Sequence, residues 1–269
     1  MTAVFKRGCL ILVVLAALSL TAFSQPGPRR TAAALPFAVG ETLTYEAKVS
    51  KIIRGIAVAD LTFTVADAPG SDDLMVRADA RSKGSLLKLF RYSFLQELNS
   101  TIGTDEFRVL KTVKHDVQKD RVRDSQADFD YKQRRVTYTE SDPSEPMRPP
   151  RRIASELDGV THDLVSAIYS LRLLPLSVGS TYVVKISDSG LVYDIPVRVT
   201  AREKQKSIFG STMCFRIEPD IFGPRRLIEH EGSMVLWITD DARRIPIRSQ
   251  VNASVGKIEI KLKSAKHIN

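Results

Sequence analysis

Cysteine is nearly absent from this chain: Cys9 and Cys214 are its 2 cysteines. Cys9 falls in an N-terminal leader, so the remainder has one thiol and can form no internal disulfide; a packed core must hold it. Histidine is sparse as well, with 4 residues scattered at His115, His162, His230 and His267. No His-Glu-x-x-His, Cys-x-x-Cys, glycine-rich phosphate loop or Gly-x-Ser-x-Gly occurs, so the motifs of zinc peptidases, dithiol redox proteins, nucleotide binders and serine hydrolases are missing. No cofactor and no metal site is expected. Beyond the leader, no run is apolar enough to cross a bilayer as a helix.

The leader has Lys6 and Arg7, an apolar run from Cys9 to Ala22, and Ala22-Phe23-Ser24 before Gln25. That is the pattern of a secretory signal peptide over residues 1–24, with a retained membrane anchor as the alternative. Cys9 stands at the start of the apolar run rather than after it, and so is not the lipid-bearing first residue of a lipoprotein. The expected location is the periplasm, in soluble form or peripheral to a membrane, with association to the outer membrane as a variant. Formal net charge is +9, and loss of Lys6 and Arg7 leaves about +7. Such a balance suits anionic lipid or glycan, and it is also common on surfaces without such a role. The basic run from Lys119 to Arg135 is diluted by Asp120, Asp124, Asp128 and Asp130 and carries no nucleic-acid motif, so nucleic acid is not an expected partner.

Residues 25–34 are poor in groups to bury and read as a flexible lead-in. From Gly40 onward, Leu43, Tyr45, Ala47 and Val49 alternate on one face, and Leu61, Phe63 and Val65 continue after Gly55, which predicts a long hairpin. Strand-like stretches follow at Leu74–Arg81, Leu87–Thr101, Phe107–Val117 and Ala127–Glu140. The crowded Leu86, Leu87, Leu89, Phe90, Tyr92, Phe94 and Leu95 read as a strand buried on both faces, with a greasy rim for lipid or partner as the alternative. Residues 141–156 contain 4 prolines and Arg148, Arg151 and Arg152, and read as a linker. Strands resume at Thr181–Ser187, Leu191–Ala201, Ser207–Glu218, Leu227–Thr239, Ile245–Val255 and Lys257–Ser264. In the last, Ile258, Ile260 and Leu262 alternate with charged residues.

Between the two strand-rich parts lies the one segment with clear helical spacing, where Leu164, Val165, Ile168, Tyr169 and Leu171 form a stripe. Thr161 is placed to cap it, Asp163 suits the dipole of its first turn, and Pro175 stops it. An internal echo frames the arrangement: Leu35-Pro-Phe-Ala-Val-Gly-Glu-Thr42 returns as Leu174-Pro-Leu-Ser-Val-Gly-Ser-Thr181. The predicted fold is mainly β: two curved antiparallel sheets, half-barrel or clam-like, with one central α-helix between them. The halves are residues 35–140 and 157–269.

Phe37-x-Val-Gly-Glu-x-Leu-x-Tyr45, Asp163-Leu-x-Ser-Ala-x-Tyr-x-Leu-Arg172 with Leu176-x-Val-Gly179, and Trp237-Ile-Thr-Asp-Asp-x-Arg-Arg-Ile-Pro246 with a late strand at Gly256 resemble the domain of unknown function 3108 family of exported bacterial proteins. The resemblance implies an envelope β protein of curved antiparallel sheets with no established activity, and no catalytic residue to carry over. The basic proline-rich insert around Arg148 to Arg152 departs from it.

The remaining reactive side chains read as structural. Glu229 and Glu231 on a strand would face away from His230, and so could not share a metal with it. Cys214, between Met213 and Phe215, reads as a core residue. Asp240-Asp241-Ala-Arg-Arg244 reads as a hairpin turn, and Asp128, Asp130, Lys132 and Arg134 as a charge ladder on one strand face. Tyr45, Tyr169, Arg172 and Trp237 are the candidate ligand-facing residues, although Tyr169 with Arg172 reads first as a polar pin for the helix, Arg172 pairing with Glu41 or another acid. The leading expectation is a non-enzymatic envelope protein that binds an apolar or amphipathic ligand, such as a lipid or glycolipid, or a partner protein. A glycan hydrolase would need paired carboxylates, with Glu41, Asp163 and Asp240 as the acids to inspect; a scaffold would need an unpaired sheet edge or an exposed apolar patch.

Overall fold

A computed structural model describes residues 35–50, 55–254 and 256–268, so the expected signal peptide and lead-in lie outside the described residues. Strands predominate among the described residues of the chain. From Thr42–Ser50 (β1), Ile56–Asp67 (β2) and Leu74–Ser82 (β3) it passes through a short helix, Gly84–Phe90 (α1), into Phe94–Gly103 (β4), Arg108–Gln118 (β5), Arg121–Asp130 (β6), Arg135–Ser141 (β7) and Arg151–Glu156 (β8). Thr161–His162 (β9) leads into the second helix, Leu164–Leu173 (α2). Then come Thr181–Asp188 (β10), Leu191–Ser207 (β11), Gly210–Pro219 (β12), Gly232–Thr239 (β13), Pro246–Ala253 (β14) and Gly256–Lys266 (β15).

The expected two sheets are one. Among the described residues, all 15 strands form a single sheet in the order β8-β7-β6-β5-β4-β3-β2-β1-β15-β14-β13-β12-β11-β10-β9. Each half of the chain is a meander of neighbouring hairpins, and β1 joins them by pairing antiparallel with β15 from Thr42↔Lys266 to Ser50↔Lys257. Twist alone curls so wide a sheet, and register shifts at Thr44/Tyr45, Ala47/Lys48, Thr101/Ile102, Val199/Ala201 and Trp237/Ile238 bend it further. The β10–β11 turn reaches the other end of the sheet at β7 and β8, where the Ser155 hydroxyl donates to the Gly190 carbonyl at 2.6 Å. A Cβ on Gly190 would lie 2.7 Å from that of Tyr138 and 2.9 Å from that of Ile153, so this seam closes only around a residue without a side chain.

Alternation decides what faces inward. Along β1, Leu43, Tyr45, Ala47 and Val49 are buried, as their spacing predicts. Leu61 and Phe63 of β2 and Ile258, Ile260 and Leu262 of β15 lie opposite them in register or one step along. Both copies of the sequence echo fold alike. Gly40 and Gly179 take φ of +94° and +91°, and their amides donate to Val65 and Val199, each at 2.8 Å. The repeat is therefore real at the backbone level, although it starts two runs of one sheet rather than two sheets.

Three local expectations are corrected. The range Leu87–Thr101 is not one strand: α1 ends at Arg91, held at φ +50° as a left-handed cap whose amide donates to Leu87, and β4 follows. The linker range 141–156 contains β8, which pairs with β7 from Arg135↔Glu156 to Glu140↔Arg151 because its prolines stop at Pro150. Ala127–Glu140 holds a hairpin, with Asp130 accepting from the amides of Lys132 and Gln133 at 2.9 and 2.8 Å, so Lys132 and Arg134 lie in a turn and no charge ladder forms.

Candidate functional site

The interior of the curled sheet is plugged on one side by α2. Its cap is Asp163 rather than Thr161, which belongs to β9. One Asp163 carboxylate oxygen accepts from the amides of Val165 and Ser166 at 3.0 and 2.8 Å, and the Ser166 hydroxyl accepts from the Asp163 amide at 3.0 Å, completing a capping box. The other Asp163 oxygen accepts from Thr112 of β5 at 2.7 Å, tying the helix start to the sheet. Burial runs nearly all round: Val165 and Tyr169 join a core with Val76, Ile102, Phe107 and Val136, while Ala167 and Leu171 join another with Ile195, Ile217 and Ile238. Burying Val165 and Leu171 stabilises by about 1.5–3 kcal/mol each. Leu164, expected on the buried stripe, is exposed.

At the other end of α2, Arg172 is 2% exposed. It donates to both Glu41 oxygens at 2.5 and 2.8 Å, to the Pro36 carbonyl at 2.8 Å and to the Arg243 carbonyl at 2.9 Å. Its guanidinium also lies 4.7 Å from the Phe37 ring centre and 5.2 Å from that of Tyr169. Phe37 and Tyr169 meet edge to face at 4.9 Å. The Tyr169 hydroxyl is buried near Glu41 without a hydrogen bond of ordinary geometry, and burial pushes its pKa well above the usual range. Tyr45 donates to the Pro246 carbonyl at 2.7 Å, and burial raises its pKa too. The three sequence motifs therefore converge here.

Of the four candidate residues, Tyr45, Tyr169 and Arg172 border one narrow hollow of about 100 Å³, together with Leu61, Phe63, Leu236 and Ile260. The Tyr45 hydroxyl and the terminal nitrogens of Arg172 are spent on the protein's own contacts, while the Tyr169 hydroxyl has no hydrogen-bond partner of ordinary geometry. Trp237 is elsewhere. It sits between Arg216 and Arg248 in register, donates to Glu203 at 2.5 Å, and lies under the Arg248 guanidinium at 4.7 Å.

The roomier space was not anticipated. Leu61 and Ile260 also border a second space, a cavity of about 550 Å³ lined by Ala47, Val49, Val58, Ala59, Ala80, Leu86, Tyr92, Phe94, Gln96 and Ile258. Its size falls within the roughly 300–1,000 Å³ of small-molecule sites. Small inward side chains on adjacent strands make the room: Ala47 is directly opposite Ala59, and Ala80 opposite Leu61. Leu86 of α1 packs over it, and α1 is fixed to β2 by a hydrogen bond from Ser85 to the Ala57 carbonyl. The available signal was alanine at inward positions of three strands in a row, a pattern that ordinarily reads as ordinary core.

Other reactive clusters are accounted for. Asp241 is a turn residue, accepting from Thr239 at 2.8 Å and from the amides of Arg243 and Arg244 at 3.1 and 3.2 Å, while Asp240 pairs with Arg202 at 2.5 Å. Glu229, His230 and Glu231 are exposed in the loop before β13 rather than on a strand. No group of 3 or more metal-ligating side chains gathers among the described residues. No helix among them is long and apolar enough to cross a membrane.

The family model for the protein of unknown function DUF3108 matches residues 42–263. The chain belongs to the DUF3108 family. This DUF3108 chain matches no curated protein. Among solved structures it resembles a beta-barrel-like protein of domain of unknown function DUF1849 from Brucella abortus, with a TM-score of 0.57 at 9% identity, covering 85% of this chain and 98% of that one. The likeness places the DUF3108 fold among barrel-like sheets. A protein with a YmcC-like fold from Bacteroides fragilis, described as exported, aligns with a TM-score of 0.32 at 11% identity over 86% of this chain and 98% of its own.

Proposed function

We propose that this chain is a non-enzymatic protein of the bacterial envelope, exported to the periplasm, that holds an apolar or amphipathic ligand inside its curled sheet. The observation that carries this reading is the 550 Å³ apolar cavity, floored by Ala47, Ala59 and Ala80 beside a helix-plugged core packed to the Tyr169 ring. A fold that fills one side of its interior with aromatic rings and leaves alanine on the other has room for a guest. The leader sequence supports export.

The glycan-hydrolase reading finds less support, because each acid it would use is already engaged: Glu41 by Arg172, Asp163 by the α2 cap, Asp240 by Arg202. A partner-binding role has one favourable feature. β9 covers β10 only at Lys185 and Ile186, which leaves the Thr181–Val184 edge beside an exposed Val183.

The test is native mass spectrometry and solvent extraction of the purified mature protein. The expected result is a bound amphiphile that is lost in Ala59→Phe, whose ring occupies the cavity, while the folded circular-dichroism spectrum is kept. Absence of any bound mass, together with failure of added amphiphiles to bind, would overturn the reading.

A further inference from the structure

Resting on that reading, we propose that the guest is a single-chain amphiphile with an anionic head group, a carboxylate or a phosphate monoester, whose tail enters the alanine-floored cavity. The apolar lining ends in a chain of polar groups that satisfy one another. Tyr92 donates to Gln118 at 3.1 Å, Gln118 donates to Asp116 at 2.9 Å, and Gln96 donates to the same carboxylate at 3.0 Å. Asp116 is buried and accepts from both Gln96 and Gln118, so an anion inside the cavity would meet this carboxylate. The head group therefore belongs at the rim.

Near Tyr92 stand three cations that make no ion pair among the described residues. The Lys119 ammonium lies 5.8 Å from the centre of the Tyr92 ring, and its amide donates to the Ser93 carbonyl at 3.0 Å, fixing the β5–β6 turn beside the exit of α1. Arg91 immediately precedes Tyr92, and Lys88 stands in the last turn of α1; all three side chains are exposed. None of the three makes an ion pair among the described residues. By contrast, Lys48, Lys83 and Lys263 all converge on Glu46. Asp120, next to Lys119, offsets only part of this positive charge. Exposed Leu87 adds an apolar step beside Lys88. Leu61 and Ile260 border both this cavity and the hollow of about 100 Å³ that reaches Ile168 and Tyr169 of α2, so a tail in the cavity would lie against the wall it shares with the helix side of the interior.

The experiment is displacement of the fluorescent fatty acid cis-parinarate from the full mature protein by four competitors of equal chain length, each below its micelle concentration. These are dodecanoate, dodecyl phosphate, dodecanol and dodecyltrimethylammonium. Three exposed charge contacts predict that the anions displace the probe at about tenfold lower concentration than dodecanol, with the cation weakest. The advantage shrinks in high salt. In the Lys88→Glu, Arg91→Glu, Lys119→Glu variant the advantage disappears while dodecanol competes as before; if the left-handed Arg91 position tolerates the change poorly, Lys88→Glu with Lys119→Glu reports the same loss. The relative strength of the two anions decides between carboxylate and phosphate. Equal competition by dodecanol and the anions, or an advantage that survives charge reversal, overturns the head-group inference and leaves the cavity reading standing. Failure of dodecanol and the anions alike removes both.

Discussion

Glu41 and Arg172, separated by 131 positions in sequence, form a two-pronged ion pair whose side chains are 1% and 0% exposed. Glu41 occupies the place in the first copy of the sequence echo that Ser180 takes in the second, so of the three positions at which the copies differ this one supplies the anchor of the helix. The pair couples the start of the sheet to the end of α2, and through the Arg243 carbonyl to the β13–β14 turn.

Breaking this pair from one side is expected to be severe. Glu41→Ala or Arg172→Ala leaves a buried charge with no counter-charge and is expected to cost about 3–5 kcal/mol. Replacing both at once, with Glu41→Leu and Arg172→Met, removes the stranded charge and is expected to cost less than either single change. Urea unfolding of the three variants checks the ordering. Singles milder than the double would show that the pair holds the helix less firmly than its geometry implies.

The seam gives a second contrast between two glycines. Gly190 and Gly179 both have positive φ, +82° and +91°, but a Cβ at Gly179 meets nothing within 4 Å, whereas at Gly190 it collides with Tyr138 and Ile153. Gly179→Ala is expected to cost only the backbone strain, about 1 kcal/mol. Gly190→Ala adds overpacking of roughly 1–3 kcal/mol. Thermal melts of the two variants measure the difference. Equal losses would mean that the β10–β11 turn does not close on β7 and β8.

Much of this architecture was legible because its signals are local. Alternation in Leu43–Val49 and Ile258–Leu262 marks inward faces, and the helix start was legible to within two residues, although the cap is Asp163 and not Thr161. The pairing of β1 with β15 was not legible. It joins strands more than 200 positions apart, and hairpin signals speak only of neighbours in sequence. Without that pairing, two meanders read as two sheets. Tyr45 and Trp237 are legible in the sequence as large aromatics with polar ends, but not the partners of those ends, the Pro246 carbonyl and Glu203, which lie on distant strands and turns. The cavity is written in alanines, whose significance depends on which strands stand side by side.

Cys214 supplies a reactivity prediction. Its side chain is fully buried in a core with Trp237 and Ile245, and burial pushes its thiol up to about 12, with nearby Asp241 and Glu203 acting in the same direction. The thiolate is the nucleophile, so iodoacetamide at pH 8 is expected to leave the folded mature protein unmodified and to alkylate it once in urea. Mass spectrometry before and after unfolding reads this directly. Rapid labelling of the folded state would place Cys214 at a mobile part of the sheet.

His162 gives the pH dependence. It is 8% exposed, packs against Phe107 with ring centres 6.2 Å apart, and has a buried Nδ1 without a hydrogen-bond partner. Burial lowers its pKa from 6.5 to about 4, against a smaller opposing effect of Asp163. The folded state thus binds a proton less readily than the unfolded state. The stability that follows from this is present above pH 6.5 and is lost as pH falls through about 4, where the folded protein must protonate an imidazole in an apolar setting. The shift corresponds to about 3 kcal/mol. Carboxylates held low by cations, such as Glu46 beside Lys83, also weaken the fold in acid, so the informative quantity is a difference between proteins. His162→Phe is expected to lose about 3 kcal/mol less than the unmodified protein between pH 7 and pH 4 in urea titrations, whatever its stability at pH 7. Parallel curves for the two proteins across that interval would show that His162 is solvated in the folded state.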